Sequence, residues 1–251
     1  MCLILIAWKT VEGSPLVAAA NRDEVMSRGT RPAAFWPDSP DVLAGRDTLH
    51  GGTWLGVTRA GRFAALTNYR DPSNARDDTP SRGQLTAAFL RSGISPEEYL
   101  ASLQASASRY NGYNLVFGDR NSLWYFSNIE GRGRALSPGI YGLSNHLLDT
   151  PWPKVARAKS ALRESLAALP WRDPLFTLLR DDTLAPDHEL PRTGVSLEWE
   201  RLLSAAFIRG GSYGTLSSTV VVQSDQHTRF EEITWSPEGA ETGRVRVQMA
   251  R

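Results

Sequence analysis

The chain has 251 residues, with 28 Lys+Arg against 27 Asp+Glu, 41% apolar and 22% charged residues. Such proportions belong to a folded protein and exclude a disordered tail, a collagen-like chain and a disulfide scaffold; the length fits one large domain or two small ones. A formal net charge of +1 argues against a dedicated nucleic-acid or anionic-membrane binder, and no apolar run approaches the roughly 20 residues that span a bilayer.

The chain opens Met1-Cys2-Leu3-Ile4-Leu5-Ile6-Ala7-Trp8-Lys9. It lacks the basic leader and the longer apolar stretch of a signal peptide. A cytoplasmic protein with a reduced thiol is therefore expected. Residues 3–8 are apolar on both alternating faces, as in a strand covered on both sides. Residues 11–15 carry turn chemistry, and residues 16–20 read as a second strand ending in Asn21-Arg22-Asp23-Glu24. Residues 28–52, rich in Pro, Gly and Asp, read as a long irregular loop. Residues 51–58 and 62–69 read as a hairpin around Ala60-Gly61, followed by a polar loop over 70–82. Helices are predicted over 84–91 and 96–109, the second capped by Ser95 with Glu97 and Glu98 in its first turn. Residues 113–118 and 122–127 form another hairpin. A helix over 153–169 has Pro153 at its start and Val155, Ala158, Leu162, Leu166 and Leu169 on one face. Shorter helices are predicted over 174–180 and 197–208, and strands over 219–223, 230–235 and 244–249. Few helices fall between adjacent strands, so the pattern favours a layered α+β fold over βαβ winding.

The only cysteine is Cys2. One thiol forms no intramolecular disulfide and argues against a thiolate metal site. His50, His146, His188 and His227 are scattered, with no HxxxH or HExxH spacing, and no phosphate-loop or dinucleotide fingerprint occurs. No metal or cofactor is expected.

A tight turn centred on Glu12-Gly13 would set Cys2 opposite Asp23, Ile4 opposite Asn21 and Trp8 opposite Val17. Cys2, Asn21 and Asp23 would then share one face, with Arg22 next door. A single bulge would shift this register by one residue. Free cysteines are ordinarily buried and inert, but position 2 opens a particular chemistry. Removal of Met1 gives Cys2 its own α-amine, whose reference pKa is about 7.7–8.0. That amine can accept the thiol proton, as in amine-activated N-terminal nucleophiles. Arg22 would favour the thiolate, and Asp23 would orient the ammonium.

Met1-Cys2 followed by Ala20-Asn21-Arg22-Asp23-Glu24 resembles the NRDE family, that of transport and Golgi organization protein 2. The resemblance continues along almost the whole chain. It runs through Gly51-Gly52-Thr53-Trp54-Leu55-Gly56, Leu66-Thr67-Asn68-Tyr69-Arg70 and Ser81-Arg82-Gly83. It resumes at Tyr113-Asn114-Leu115-Val116, Tyr125-Phe126-Ser127-Asn128 and Tyr141-Gly142-Leu143-Ser144-Asn145. Pro151-Trp152-Pro153-Lys154 and Tyr213-Gly214-Thr215 complete it. The family in turn resembles the N-terminal nucleophile (Ntn) hydrolases, near the penicillin and bile-salt amidase branch. This resemblance implies one domain over residues 1–251 and a four-layer αββα sandwich. It implies Cys2 as nucleophile, Arg22 and Asp23 assisting, and Asn68 and Asn145 donating to an oxyanion. Asn21, Trp54 and His146 are expected to contact substrate. Where the family pattern has Tyr-Gly-Thr-Arg, this chain has Leu216 in place of the Arg, which implies an altered substrate or weakened hydrolysis. Two functions follow as expectations. The first is an amidohydrolase acting on non-peptide linear amides. The second is a non-catalytic carrier of an apolar ligand such as haem, or of a lipid or acyl-CoA-related molecule.

Overall fold

A computed structural model describes residues 2–167 and 172–250. Its first sheet has six strands in the order β10 (Gly139–Leu143), β1 (Cys2–Val11), β2 (Ser14–Val25), β11 (Tyr213–Gln223), β12 (His227–Trp235) and β13 (Glu241–Ala250). The second is a seven-stranded meander: β3 (Thr30–Trp36), β4 (Ser39–Asp47), β5 (Leu55–Thr58), β6 (Phe63–Asn68), β7 (Tyr113–Gly118), β8 (Leu123–Ser127) and β9 (Arg132–Ala135). Helices α1 (Gly83–Arg91) and α2 (Pro96–Ser106) cover the meander. Helices α3 (Pro153–Ala167) and α4 (Arg172–Leu179) cover the first sheet. A short α5 (Leu197–Leu202) precedes β11.

Three apolar layers hold this stack together. Ile4, Ile6, Trp8, Leu16 and Ala18 meet Val57, Phe63 and Val116 between the sheets. The alternate residues Leu3, Leu5, Ala7 and Val17 pack on Val155, Leu162 and Leu175 of the helices. Leu66, Phe117 and Phe126 do the same against Phe89 and Leu103 on the far side. The period-2 alternation thus serves two interfaces at once, which is why β1 is apolar throughout. Each fully buried side chain of this size contributes about 1.5–3 kcal/mol relative to exposure.

The expected αββα layering is met, and several local expectations are corrected. Residues 28–52 are not an irregular loop but contain the β3–β4 hairpin. Pro32 is tolerated because β3 is an edge strand, where a missing N–H breaks no inner ladder. The helix expected over 197–208 ends at Leu202, and the one expected over 96–109 gives way to a 3₁₀ turn at Ala107. The Ser95 cap is a reciprocal capping box with Glu98. Leu169 lies outside the described residues.

The register of the first hairpin also differs. Val11 pairs with Ser14, as a turn at Glu12-Gly13 requires, but Trp8 pairs with Leu16 and Cys2 with Arg22. The offset arises at a bulge between Trp8 and Val11, where Lys9 takes a left-handed φ of 49°. Directly opposed residues share a face. Cys2 and Arg22 therefore point between the sheets, while Asn21 and Asp23 point toward the helices.

Candidate functional site

The site forms where β1, β2, β6 and β10 end together. Cys2 is 9% exposed at the start of β1. Its backbone is tied to the segment leaving β10: its N–H donates to Asn145 Oδ1 at 3.4 Å, and its carbonyl accepts from Ser144 Oγ at 3.0 Å. Asn145 Nδ2 donates to the Asn68 carbonyl at 2.9 Å, and the Arg70 N–H donates to the Asn145 carbonyl at 2.8 Å. One buried asparagine thus links the start of β1 to the end of β6 across the two sheets.

Burial pushes the Cys2 thiol above its ordinary value, and the Asp23 charge adds to this. Arg22 and the Asp23 backbone pull the other way. Burial being the largest influence, the resting group is a thiol, and attack needs a base to take its proton.

Arg22 is 8% exposed, and its Nη1 donates to Thr30 Oγ1 at 2.9 Å. It lines a polar cavity of about 340 Å³ together with Trp54, Asn68, Arg82 and Glu24. Asn68 and Arg82 also line a second cavity of about 500 Å³, whose wall includes Tyr69, Tyr110 and Ile129. Two glycines shape the first cavity. Gly52 lies so close to the start of α1 that a Cβ there would come within 2.6 Å of the Gly83 backbone. The Gly51-Gly52-Thr53-Trp54 and Ser81-Arg82-Gly83 motifs are therefore two sides of one contact, closed by the Thr53 N–H on the Gly83 carbonyl at 3.2 Å. Gly52→Ala is expected to cost about 1–3 kcal/mol through overpacking, read as a lower urea midpoint at unchanged m.

Asp23 is 1% exposed on the helix side of β2. Its Oδ1 accepts from Thr215 Oγ1 at 2.7 Å, and its carbonyl accepts from the Tyr213 hydroxyl at 3.1 Å. Burial raises its carboxyl above the usual range, opposed first by Lys154. Beside it, Arg70 and Glu200 form an ion pair of 2.7 Å, each side chain 5% exposed.

The structure gathers Cys2, Arg22, Asn68 and Asn145 at one place, with Trp54 on the cavity wall and Asp23 behind the sheet. It does not bring Asn21 to the cavities. Asn21 Nδ2 donates to the Leu179 and Ala206 carbonyls, each at 2.7 Å, and its Oδ1 accepts from Ser218 at 2.6 Å. That side chain ties β2 to α4 and β11. His146 likewise lines neither cavity: Nδ1 pairs with Thr150 Oγ1 at 2.8 Å, and the ring packs between Tyr69 and Trp152. Leu216 sits at a bulge in β11 and lines a cavity of about 260 Å³ with Arg22, Trp54 and Glu232. The sequence reading missed Arg70, Arg82, Ser144, Lys154 and Thr215. Each lies inside a motif that carried the resemblance, which was the signal available.

The family model described as transport and Golgi organisation 2 matches residues 1–237. The Bos taurus transport and Golgi organization protein 2 homolog is 38% identical over 239 residues, covering 86% of this chain and 85% of its own. The Homo sapiens homolog is 35% identical over 243 residues with the same coverage. Among solved structures, the Caenorhabditis elegans N-acylethanolamine-hydrolyzing acid amidase ortholog superposes with a TM-score of 0.50 at 10% identity, covering 88% of this chain and 92% of that one. The shared architecture is that of the Ntn hydrolases.

Proposed function

The chain belongs to the transport and Golgi organisation 2 family, and we propose that, once Met1 is removed, it acts as an N-terminal-cysteine amidohydrolase on non-peptide linear amides. The observation that carries this is the placement of Cys2: its side chain shares a face with Arg22, and its backbone is fixed by Asn145 and Ser144. The Cys2 α-amine takes the thiol proton, and the thiolate attacks the amide carbonyl carbon. The carbonyl π electrons move to oxygen, which accepts from the Asn68 carboxamide. The C–N bond breaks and the leaving amine takes the proton back from the ammonium. Water then hydrolyses the thioester, with the same amine as base. Asn145 gives one N–H to the Asn68 carbonyl, which positions Cys2 and the β6 terminus, and its second N–H donates to the same oxyanion beside Asn68. Asp23 holds the ammonium, and Arg22 favours the thiolate.

The test is acylation by p-nitrophenyl esters of graded chain length, read by peptide mass mapping. The reading expects one adduct, on Cys2. Adducts that persist in Cys2→Ala would overturn it.

A second reading is supported by Leu216, whose cavity includes Met26, Trp54 and Trp235. This apolar wall suits a carrier of a hydrophobic ligand such as haem, or of a lipid or acyl-CoA-related molecule. Titration with micromolar haem separates the two: a carrier gives a spectral shift lost in Leu216→Arg, and an unchanged spectrum removes the haem version.

A further inference from the structure

The Ser81-Arg82-Gly83 motif takes no part in the acylation cycle, yet it forms one wall of the polar cavity that Arg22 lines. Arg82 is the N-cap residue of α1, where its side chain makes no cap and the first turn holds no acid. A helix N-terminus carries a partial positive charge, so a guanidinium there adds to that charge instead of offsetting it. The close contact of Gly52 with Gly83 fixes this turn, and Arg82 Nη1 donates to the Gly112 carbonyl at 3.0 Å. Arg22, paired with Cys2 across β1 and β2, enters the same cavity with its Nη1 on Thr30 Oγ1. Asn68 lies on that wall too.

The other arginines of this cavity are already answered. Arg28 pairs with Asp47, and Arg46 pairs with Asp38 through two bonds of 2.7 and 2.8 Å. Among the described residues, neither Arg22 nor Arg82 is ion-paired to a carboxylate. Each guanidinium has five N–H donors, and each spends one on a neutral oxygen. Their remaining nitrogens are not sealed inside protein, and this cavity is the one that both side chains line. The carboxylate left on the wall is Glu24, which gives one oxygen to the Val25 N–H at 3.0 Å. Two guanidiniums against one carboxylate leave an excess of one positive charge in a half-enclosed space, where an unanswered charge is costly. Burial lowers Arg82 from its ordinary value, with Glu24 the first group to oppose it.

We infer that Arg22 and Arg82 form an anion subsite beside Cys2 that takes a carboxylate carried by the amide, a subsite whose catalytic use rests on the amidohydrolase reading. A carboxylate suits the planar fork of a guanidinium, and its single charge matches the excess. A phosphate monoester would bring a second negative charge against Glu24. The cavity, at about 340 Å³, has room for a small amide with its carboxylate. Bound to the arginines, that carboxylate is neutralised and does not repel the Cys2 thiolate. No bond to either arginine forms or breaks.

Binding is measured by calorimetry on Cys2→Ala protein, which lacks the nucleophile, and hydrolysis on the wild type. The probes are N-butanoylglycine, with its carboxylate on the amine side of the amide, N-butylsuccinamic acid, with it on the acyl side, and the neutral primary amide of each. At least one acid should bind about tenfold or more tightly than its neutral amide, as a charge-assisted bond predicts. The preferred isomer tells on which side of the scissile bond the anion lies. Arg82→Gln, added to the Cys2→Ala protein, should abolish the preference while leaving the neutral amide within about twofold, and Arg82→Lys should restore part of it. N-butanoyl-O-phosphoethanolamine should bind no more tightly than the preferred acid. Acids that bind no better than their amides overturn the subsite, as does a preference that survives Arg82→Gln. Tighter binding of the phosphate ester overturns the choice of carboxylate. An Arg82-dependent preference with no hydrolysis of any probe by the wild type overturns the hydrolase reading and leaves the subsite standing. Hydrolysis of acids and neutral amides with equal kcat/KM overturns the subsite alone.

Discussion

Cys2→Ala should lower amide hydrolysis by at least about 10³-fold and abolish acylation, because removal of a nucleophile eliminates the covalent path rather than weakening it. The surroundings should survive the change. Both hydrogen bonds that fix residue 2 use its backbone, the N–H to Asn145 and the carbonyl from Ser144. Neither depends on sulfur. The side chain is small and sits at a strand end, so loss of its buried sulfur should cost about 1 kcal/mol of stability. The pairing of β1 with β10 through Ile4 and Leu143 is untouched. The expected signature is therefore a catalytic collapse at nearly constant unfolding midpoint, measured by kcat/KM and urea denaturation on the same preparation. Hydrolysis retained within tenfold would place the chemistry elsewhere.

Glu200→Ala should have the largest effect on stability. Its carboxylate neutralises Arg70, and both side chains are 5% exposed. It also accepts from the Thr193 N–H and hydroxyl. Removing one member of a buried pair leaves a desolvated charge behind, a loss of about 3–5 kcal/mol. For a chain of this size that lowers Tm on the order of 10 °C. Arg70 also packs its guanidinium over Trp152 at 4.7 Å, and its backbone N–H holds the Asn145 carbonyl. Activity should fall together with stability, since Asn145 is what fixes Cys2. Arg70→Met with Glu200→Leu should recover much of the stability, because the pair is then removed rather than broken. A Glu200→Ala protein with an unchanged urea midpoint would contradict the assignment of a buried pair.

Much of the architecture was legible because burial writes a pattern. The doubly apolar β1 announced a sheet covered on both faces, and Val155, Ala158 and Leu162 marked the α3 face that covers it. Other elements left weaker traces. The β3–β4 hairpin has Pro32 in its edge strand and Gly45 in β4, where a Cβ would come within 3.3 Å of the Arg31 carbonyl of β3 and 3.7 Å of Glu232 from the first sheet. β10 was not read as a strand. Its Gly142 lets α3 approach, since a Cβ would come within 2.7 Å of Val155. Glycine required by a tertiary contact looks like glycine in a turn.

The first hairpin shows a subtler limit. A lysine gives no sign that it will adopt a left-handed φ, yet Lys9 does, and the resulting bulge moves Cys2 from Asp23 to Arg22. That exchange turns Asp23 from a neighbour in the cleft into a buried charge behind it. Asn68 and Asn145 came from the family resemblance, not from spacing. Lys154 and Thr215 were not singled out beyond the motifs that hold them, because the burial of Lys154 and the hydrogen bond from Thr215 to Asp23 exist only once the strands and α3 have met.

Everything proposed for Cys2 depends on its having a free α-amine. Intact-mass analysis of the purified, active protein tests this most directly. The account predicts a mass lacking Met1, with Cys2 as the first residue. A turnover-competent protein that retains Met1 would contradict it.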